Sequence, residues 1–326
     1  MLKTHGLSKT YGEQNVLINF NLEIESGEII SVVGGSGSGK TTLLRIISGL
    51  ELPDNGQIIL NNDIINGENI FVPPEKRDCS LVFQDYALFP NISMHQNIYF
   101  GKNSNRNKER VEELIRVTKI EKILNKFPHE CSGGEQQRVA LVRSLAVNPS
   151  LIMMDEPLSN LDYNLKSNLG SMVRRLLKKF KTTAIIVTHD INDAMEISDK
   201  IVVIDKGKII QKGPPNKIYN NPNSKKSALM FGETNFIPLR IYPNTKNFFF
   251  DDETKESLIS IRPNQFIIYD DSVASGKKVF SGKIESIRRV ASEYKLELKC
   301  NNLCLKISLN TLTKLSVGQV LKVIAP

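Results

Sequence analysis

The feature that most constrains the fold is a glycine-rich loop at residues 34–41, Gly-Gly-Ser-Gly-Ser-Gly-Lys-Thr. The apolar run EIISVVG precedes this loop, and TLLRIISGL, whose apolar residues have helical spacing, follows it. Between a strand and a helix, such a loop turns its backbone N–H groups inward around a chain of phosphates. A flexible glycine linker is the alternative, but a linker lacks the Lys-Thr ending and the flanking elements. The loop therefore predicts a phosphate-binding α/β fold.

Further apolar runs alternate with helical segments along the chain. Strand-like runs are LIMMD at 151, TAIIVTH at 183 and KIVVIDKGKII at 200, and helix-like segments cover 135–147 and 163–180. A helical pattern also covers about 104–126, with Val111, Leu114, Ile115 and Thr118 on one face. Strand-like runs VLINFNLEI and QIILNNDII lie near the N-terminus. This alternation predicts a parallel sheet covered by helices.

The length and the change of pattern after Gly213 indicate two domains. The chain has 326 residues, which exceeds one comfortable core. We predict a first domain at 1–235, and a second at 236–326 that is all-β and resembles an OB barrel, because its runs are short alternating strands. No run approaches the length of a membrane helix, and the N-terminus lacks an apolar signal region, so secretion is not expected.

The net charge of +8 does not identify a ligand, and the four cysteines do not indicate a metal site or a disulfide. A basic balance suits nucleic acid, anionic lipid or phosphate ligands alike. Cys79, Cys131, Cys300 and Cys304 form neither a CxxC pair nor a cluster with histidine, and we expect Cys300 and Cys304 to be buried thiols and Cys131 a small buried apolar residue.

Two acids directly follow the apolar run LIMMD. A buried strand that ends in Asp155 places a carboxylate at the edge of the sheet, where it can hold Mg²⁺. Glu156 is then free to polarise an attacking water. Many strands end in acids, so this pattern alone is weak evidence for a magnesium site. Together with the glycine loop upstream it becomes strong evidence.

A second possible anion site is Ser132-Gly133-Gly134 at the head of a helix. The hydroxyl, the amides and the helix dipole all favour negative charge there. An ordinary helix N-cap is the alternative. If this segment cannot reach the glycine loop of its own chain, it must serve the nucleotide of a neighbouring copy.

With these three segments, residues 2–235 resemble the nucleotide-binding subunit of ABC transporters. The resemblance implies a P-loop core with an inserted helical subdomain around 86–148. It also implies an ATPase that uses Mg²⁺ and forms a homodimer with ATP between the copies. Cys131, Gly35 and Asn160 depart from the common family residues, but none removes a group that contacts phosphate.

The resemblance assigns site residues that spacing alone does not. It implies that Tyr11 stacks on adenine, that Gln84 senses Mg²⁺ and the membrane subunit, and that His189 contacts the γ-phosphate. Ser159 to Asp162 resembles the loop that crosses to the partner's site. The implied catalytic residues are Lys40, Glu156 and His189, and the implied metal ligands are Thr41, Gln84 and Asp155. The implied nucleotide contacts are Tyr11, Gly34, Gly35, Ser36, Gly37, Ser38, Gly39, Lys40, Thr41, Thr42, Gln84, Ser132, Gly133, Gly134 and Asp162.

The second domain resembles the regulatory β-domain of binding-protein-dependent importers, with SIRPNQFIIYD as the cue. The resemblance implies integral membrane permease partners, an extracytoplasmic solute-binding protein that acts indirectly, and a location on the cytoplasmic face of the membrane. VPPEKRDCSLVFQDYALFP and FGETNFIP resemble ferric-iron importers most, while polyamine, phosphonate, and sulfate or molybdate importers remain alternatives. A soluble ABC ATPase acting on nucleic acid and an exporter cassette are the competing classes. Nucleic acid is not expected, because no second cassette or long coiled coil is visible.

Overall fold

The computed structural model describes residues 1–101, 104–159, 163–243, 245, 247–270, 278–311 and 313–326, without the side chains of 105, 106 and 163–165. Its contacts divide the chain into two compact units, 1–215 and 216–326. The predicted domain boundary at 235/236 lies inside the second unit, and whether 1–235 is an independent domain stays a prediction.

The first unit combines two sheets with helices. Its described strands are β1 (Leu2–Tyr11), β2 (Gln14–Ile24), β3 (Ile29–Gly34), β4 (Asn55–Leu60), β5 (Asp63–Gly67), β6 (Ile70–Phe71), β7 (Cys79–Val82), β8 (Leu151–Asp155), β9 (Thr183–Thr188), β10 (Lys200–Asp205) and β11 (Lys208–Gly213). Its described helices are α1 (Lys40–Ser48), α2 (Met94–Ile98), α3 (Lys108–Thr118), α4 (Gly133–Ala146), α5 (Tyr163–Lys179) and α6 (Ile191–Ile197).

The predicted parallel sheet is confirmed. Its order is β11-β10-β3-β9-β8-β7, and only the edge strand β11 pairs antiparallel. Alternate residues of β3 and β9 enter two separate apolar clusters, one on each face of the sheet. Burial on both faces explains why these strands read as continuous apolar runs. The other sheet, β2-β1-β4-β5-β6, is antiparallel.

The predicted helical pattern at 104–126 is confirmed in part. The face with Val111, Leu114, Ile115 and Thr118 is buried, but α3 ends at Thr118, because Lys119 takes a left-handed conformation with φ 56°. A short 3₁₀ turn at Glu121–Ile123 follows. Helices α2, α3 and α4 lie within the segment predicted as the helical subdomain.

Two features of the first unit differ from the prediction. The run KIVVIDKGKII is a hairpin of β10 and β11, not one strand, because Lys206 and Gly207 turn the chain with φ of 45° and 74°. Strand β1 was not predicted, since its sequence alternates with polar residues and has no long apolar run. Its alternate side chains nevertheless enter the core, with Leu2 and Leu7 fully buried.

The second unit is mainly β-structure, as predicted. It contains α7 (Pro215–Asn220), α8 (Lys225–Met230), β12 (Asn235–Pro238), β13 (Phe249–Asp251), β14 (Glu256–Ile261), β15 (Ile267–Ile268), β16 (Val279–Val290), β17 (Glu293–Cys300), β18 (Leu303–Leu309) and β19 (Val320–Ile324). These strands form a three-stranded sheet, β12-β14-β13, and a five-stranded sheet, β15-β19-β16-β17-β18. One apolar cluster joins residues of both sheets.

The second unit is held together by a buried arginine, Arg262, directly after β14. Its guanidinium donates hydrogen bonds to the carbonyls of Ala228, Gly232, Glu233 and Tyr219 at 3.0–3.3 Å. The Tyr219 and Ala228 carbonyls lie in the last turns of α7 and α8, and those of Gly232 and Glu233 follow α8. Arg262 therefore fixes both short helices to β14, and the predicted SIRPNQF cue marks this structural contact.

Asn235 and Lys225 add two more links within this unit. The side-chain oxygen of Asn235 accepts from the Lys306 amide at 2.7 Å, and its nitrogen donates to the Lys306 carbonyl at 2.8 Å. Lys225 of α8 forms an ion pair with Asp251 at 2.6 Å, and the hydrogen bond from Lys225 holds the pKa of that carboxyl at about 2. The helix segment and the strands therefore share one polar framework.

The four cysteines are free thiols. The expected burial is confirmed for Cys300 and wrong for Cys304, because alternate side chains of β18 face solvent and Cys304 is one of them. Burial raises the pKa of the Cys131 thiol, which gives no sign of an activated thiolate. Among the described residues, no helix is both long and apolar enough to span a membrane.

We expect Arg262→Met to lower the stability of the second unit by about 3 kcal/mol, because each buried carbonyl left without a donor costs on the order of 1–3 kcal/mol. Native-state hydrogen exchange of amides in β16–β18 would measure this change. Arg240→Met is the matched control, since Arg240 is 75% exposed and should change stability by less than about 0.5 kcal/mol. Equal exchange in both variants would contradict the structural role of Arg262.

Candidate functional site

The site lies where the central parallel strands end. Strand β3 ends at Gly34, β8 at Asp155 and β9 at Thr188, one residue before His189. These strands are neighbours in the sheet, and parallel strands bring their carboxyl ends to the same edge. Three segments that are far apart in sequence therefore meet because of the strand order.

The loop from Gly34 to Lys40 has the conformation that its glycines permit. Gly37 and Gly39 have φ of 72° and 100°, and a Cβ on Gly39 would lie 2.5 Å from the Val16 carbonyl oxygen. Gly39 leads directly into α1, whose N-terminal amides and dipole favour a phosphate. The loop is thus a pre-formed cradle for an anion.

Lys40 reaches back across this loop. Its ammonium donates to the carbonyls of Gly34 and Gly35, each at 2.9 Å. Burial lowers the pKa of Lys40, and the negative charges of Glu156 and Asp155 act in the opposite direction. The cation is held inside the loop, where a phosphate chain would pass.

Asp155 and Thr41 form a pair of hard oxygen groups beside the loop. The Thr41 hydroxyl donates to Asp155 Oδ1 at 3.3 Å. Burial raises the pKa of Asp155, and the charge of Glu156 adds to this effect, while the bond from Thr41 opposes it. A carboxylate and a hydroxyl at this place fit Mg²⁺, which prefers oxygen ligands and retains contacts to phosphate.

Glu156 and His189 form a second pair. Glu156 Oε1 lies 2.8 Å from His189 Nδ1, and the Glu156 backbone takes a left-handed φ of 47°. The Glu156 amide donates to the Val187 carbonyl at 2.8 Å, which ties this unusual conformation to β9. A non-glycine residue in this region is costly, and such residues concentrate at functional sites. The turn directs the carboxylate toward the histidine.

Tyr11 stands at the rim of the same region with 46% of its surface exposed. Its hydroxyl donates to Glu51, and the Lys9 ammonium lies 5.4 Å from the ring centroid. Burial and the Glu51 carboxylate raise the pKa of the tyrosine hydroxyl. Glu51 and Lys9 thus orient the ring, and its stacking on adenine stays a prediction.

Two adjoining cavities bring most of the predicted residues together. A cavity of about 520 Å³ is lined by Tyr11, the loop residues Ser36 to Thr42, Glu156 and His189. A second cavity of about 460 Å³ is lined by Thr41, Gln84 and Asp155 with Arg45 and Phe83. Thr41 borders both. Sequence reasoning missed Gln14 and Val16, which also line the first cavity, because neither residue type nor spacing signals such a role.

The Ser132 segment lies apart from these residues. Among the described residues that line the two cavities, none belongs to Ser132, Gly133 or Gly134. Ser132 caps α4 in a capping box: its amide and hydroxyl donate to the Glu135 carboxylate at 2.8 and 2.9 Å. These bonds lower the pKa of Glu135. The capping box by itself also satisfies the alternative of an ordinary N-cap.

The predicted crossing loop is described only at Ser159. Asn160, Leu161 and Asp162 lie outside the described residues, while Ser159 donates its hydroxyl to the Glu156 carbonyl at 3.0 Å. Gln84 is exposed and lies two residues after the end of β7 at Val82.

Relatives of this chain match nearly its whole length. A family model described as ABC transporter matches residues 17–159. The Fe(3+) ions import ATP-binding protein FbpC 2 of Haemophilus influenzae is 35% identical over 99% of this chain and 94% of that protein. The spermidine/putrescine import ATP-binding protein PotA of Bacillus thuringiensis is 36% identical over 92% of this chain and 87% of that protein.

Solved structures show the same fold. The dimeric ATP-binding cassette MJ0796, in a post-hydrolysis state bound to ADP and Pi, is 30% identical with a TM-score of 0.57, covering 66% of this chain and 99% of that one. The protein cbiO1 of Clostridium perfringens, part of an ABC transporter complex, is 29% identical with a TM-score of 0.60, covering 67% and 90%. The predicted fold class is confirmed, and the chain belongs to the ABC transporter family as an importer-type ATPase subunit.

Proposed function

We propose that this chain binds ATP between two copies of itself and uses its hydrolysis to drive solute import through a separate membrane permease. The carrying observation is the convergence of the glycine loop, Asp155, Glu156 and His189 at one edge of the sheet. Each of these groups has a distinct part in phosphoryl transfer to water.

The loop and Lys40 bind the phosphates. Backbone amides of residues 35–41 face a chain of phosphate oxygens, and the N-terminus of α1 adds its dipole. When phosphate oxygens arrive, the Lys40 ammonium exchanges its bonds to the Gly34 and Gly35 carbonyls for bonds to them. Its charge then offsets negative charge that develops in the transition state.

Thr41, Asp155 and Gln84 are the residues that would hold Mg²⁺, because their oxygens share the second cavity. The ion, when bound, neutralises phosphate charge and fixes the phosphate geometry. Gln84 also lies on the surface, two residues after β7, where it can transmit a contact with the permease to the site.

Glu156 orients the attacking water. Its carboxylate lies at the first cavity and accepts a bond from His189 when Nδ1 carries the proton. His189 lines the same cavity, and a ring nitrogen that carries a proton can donate to the γ-phosphate there. Tyr11 at the rim is positioned to stack on the adenine base.

The Ser132 segment and Asp162 serve the nucleotide of the partner copy. The support is that none of the described residues lining the loop's cavities belongs to this segment, although it has the donors of an anion site. The related cassette MJ0796 is dimeric. In a homodimer, the glycine loop of one copy and the Ser132 segment of the other would bind the same ATP, so both anion sites would contact nucleotide.

The permease, an indirectly acting extracytoplasmic solute-binding protein and a location at the cytoplasmic membrane face follow from the importer assignment. The second unit is then a regulatory domain. A role on nucleic acid is less supported, since both curated relatives named above carry import in their names.

Ferric iron is the cargo that we propose. The iron-importer relative matches 99% of this chain, which includes the second unit. Polyamine is the second candidate, because the spermidine/putrescine relative is 36% identical over 92% of the chain.

Glu156→Gln should keep ATP binding and nearly abolish turnover, because it removes the carboxylate that orients water and leaves the phosphate cradle intact. Equilibrium binding of ATP and phosphate release by the purified variant would measure both. Turnover within a few-fold of the unmodified protein would refute the role of Glu156.

Mixing two inactive variants tests the shared site. Lys40→Ala and Ser132→Arg should each inactivate a homodimer, while a mixed dimer retains one site with both halves intact. Random pairing of independent sites should restore at most about a quarter of the ATPase activity, and less if the two sites are coupled. With Glu156→Gln added to both chains, trapping of labelled ATP should reveal the intact site even without hydrolysis. Neither hydrolysis nor trapping in proven heterodimers would exclude a shared site.

Deletion of this subunit should impair growth on ferric iron as the sole iron source and reduce uptake of radiolabelled iron. Restoring the unmodified chain should recover uptake, and restoring Glu156→Gln should not. Unchanged iron uptake together with lost polyamine uptake would assign the transporter to the second candidate.

A further inference from the structure

A strained turn follows Gln84. Tyr86 and Ala87 have φ of 64° and 43°, so two consecutive residues that carry a Cβ take the left-handed conformation. Glycine adopts this region freely, whereas residues with a side chain do so at a steric cost. Tyr86 is buried, which limits the ways in which the turn can relax. Something in the surrounding structure must hold this conformation.

Arg143 of α4 supplies that support. One terminal nitrogen of its guanidinium donates to the Ala87 carbonyl at 2.8 Å, and the other donates to the Tyr86 carbonyl at 2.9 Å. The guanidinium carbon also lies 5.7 Å from the Phe89 ring centroid. A planar guanidinium can present two N–H groups at once, whereas a lysine ammonium acts as a point charge on a flexible stem.

The chain that follows the turn is also held in place, at Phe89. Asn97 is fully buried, accepts from the Phe89 amide at 2.8 Å and donates to the Phe89 carbonyl at 3.1 Å. At the near end, Val82 belongs to β7 and is buried. Gln84 therefore lies on a short segment, residues 83–85, between a sheet strand and a turn that Arg143 holds.

Arg143 connects this segment to the second anion site. It lies on the same helix as Ser132, eleven residues after that N-cap, or about 16 Å along the axis at 1.5 Å per residue. Val139, Val142 and Leu145 of this helix are fully buried. Arg143 therefore ties the segment that carries Gln84 to a helix that is anchored in the core.

We propose that Arg143 is a positioning residue for ATP hydrolysis: it holds the turn at Tyr86 and Ala87, and thereby fixes Gln84 beside Thr41 and Asp155. The residue touches no reacting atom and acts through Gln84. This inference rests on the proposed function and assigns the arginine a part in the same site.

A double-mutant cycle tests the proposal. Gln84→Ala and Arg143→Lys should each lower kcat about tenfold or more, with KM for ATP within about twofold, because the glycine loop is untouched. The double variant should be no slower than the slower single variant, since both changes remove one function. Losses that multiply in the double variant would overturn the proposal, as would an unchanged kcat in either single variant.

A rescue separates positioning from general stability. Ala87→Gly removes the steric cost of the left-handed turn, so it should restore at least part of kcat, about threefold, in the Arg143→Lys chain. Absence of recovery would overturn the proposal. Arg110→Met is the matched control: Arg110 is also half-buried and donates to the Leu145 carbonyl of α4 at 3.3 Å, and its loss should leave kcat within about twofold. An equal loss of kcat in this control would assign the effect to the helix alone.

The outcome also separates this inference from the proposed function. Absence of ATP hydrolysis by the unmodified chain would refute the proposed function and the inference with it. Hydrolysis by the unmodified chain together with multiplicative losses would refute the role of Arg143 alone.

Discussion

The parallel pairing of β3 with β9 and β10 is the constraint on which the site depends. Alternate side chains of β3 and β9 enter two separate apolar clusters, so separating these strands would expose apolar surface on both faces of the sheet. This pairing brings three segments to the same edge of the sheet: the loop after β3, the acids at the end of β8 and the histidine after β9. The geometry of the candidate site is a consequence of core packing.

Local patterns in the sequence were sufficient for the groups that lie directly at strand ends. The loop with Lys40, then Asp155 and Glu156, could be placed because each follows an apolar run, and strand ends of a parallel sheet share one edge. His189 and Tyr11 needed the family resemblance, since a lone histidine or tyrosine has many roles. The bond between Glu156 and His189 and the left-handed backbone of Glu156 depend on long-range contacts, which no local pattern encodes.

Long-range contacts are also the reason why the roles of three buried arginines could not be predicted from the sequence. Arg77, Arg143 and Arg262 donate to backbone carbonyls, and burial lowers the pKa of each guanidinium. Arg77 binds the carbonyls of Ile46 and Ile47 near the end of α1, so the helix that begins at the phosphate cradle is capped by a cation at its other end. Every residue has a backbone carbonyl, so an arginine that binds carbonyls needs no acidic partner. The sequence therefore contains no pattern that predicts these contacts.

The framework around Arg262 has a consequence for where the chain can be divided. A fragment that stops at residue 235 would keep α7 and α8 but lose the guanidinium that satisfies their terminal carbonyls, along with the acid that neutralises Lys225. Two short helices cannot persist alone in water, because helix nucleation is costly. The exposed remnant would be a natural target for proteases, whereas a cut near residue 215 would leave the polar framework whole. The division at 215/216 places nearly all of α7 and the whole of α8 in the same unit as the strands that Arg262 and Asp251 belong to.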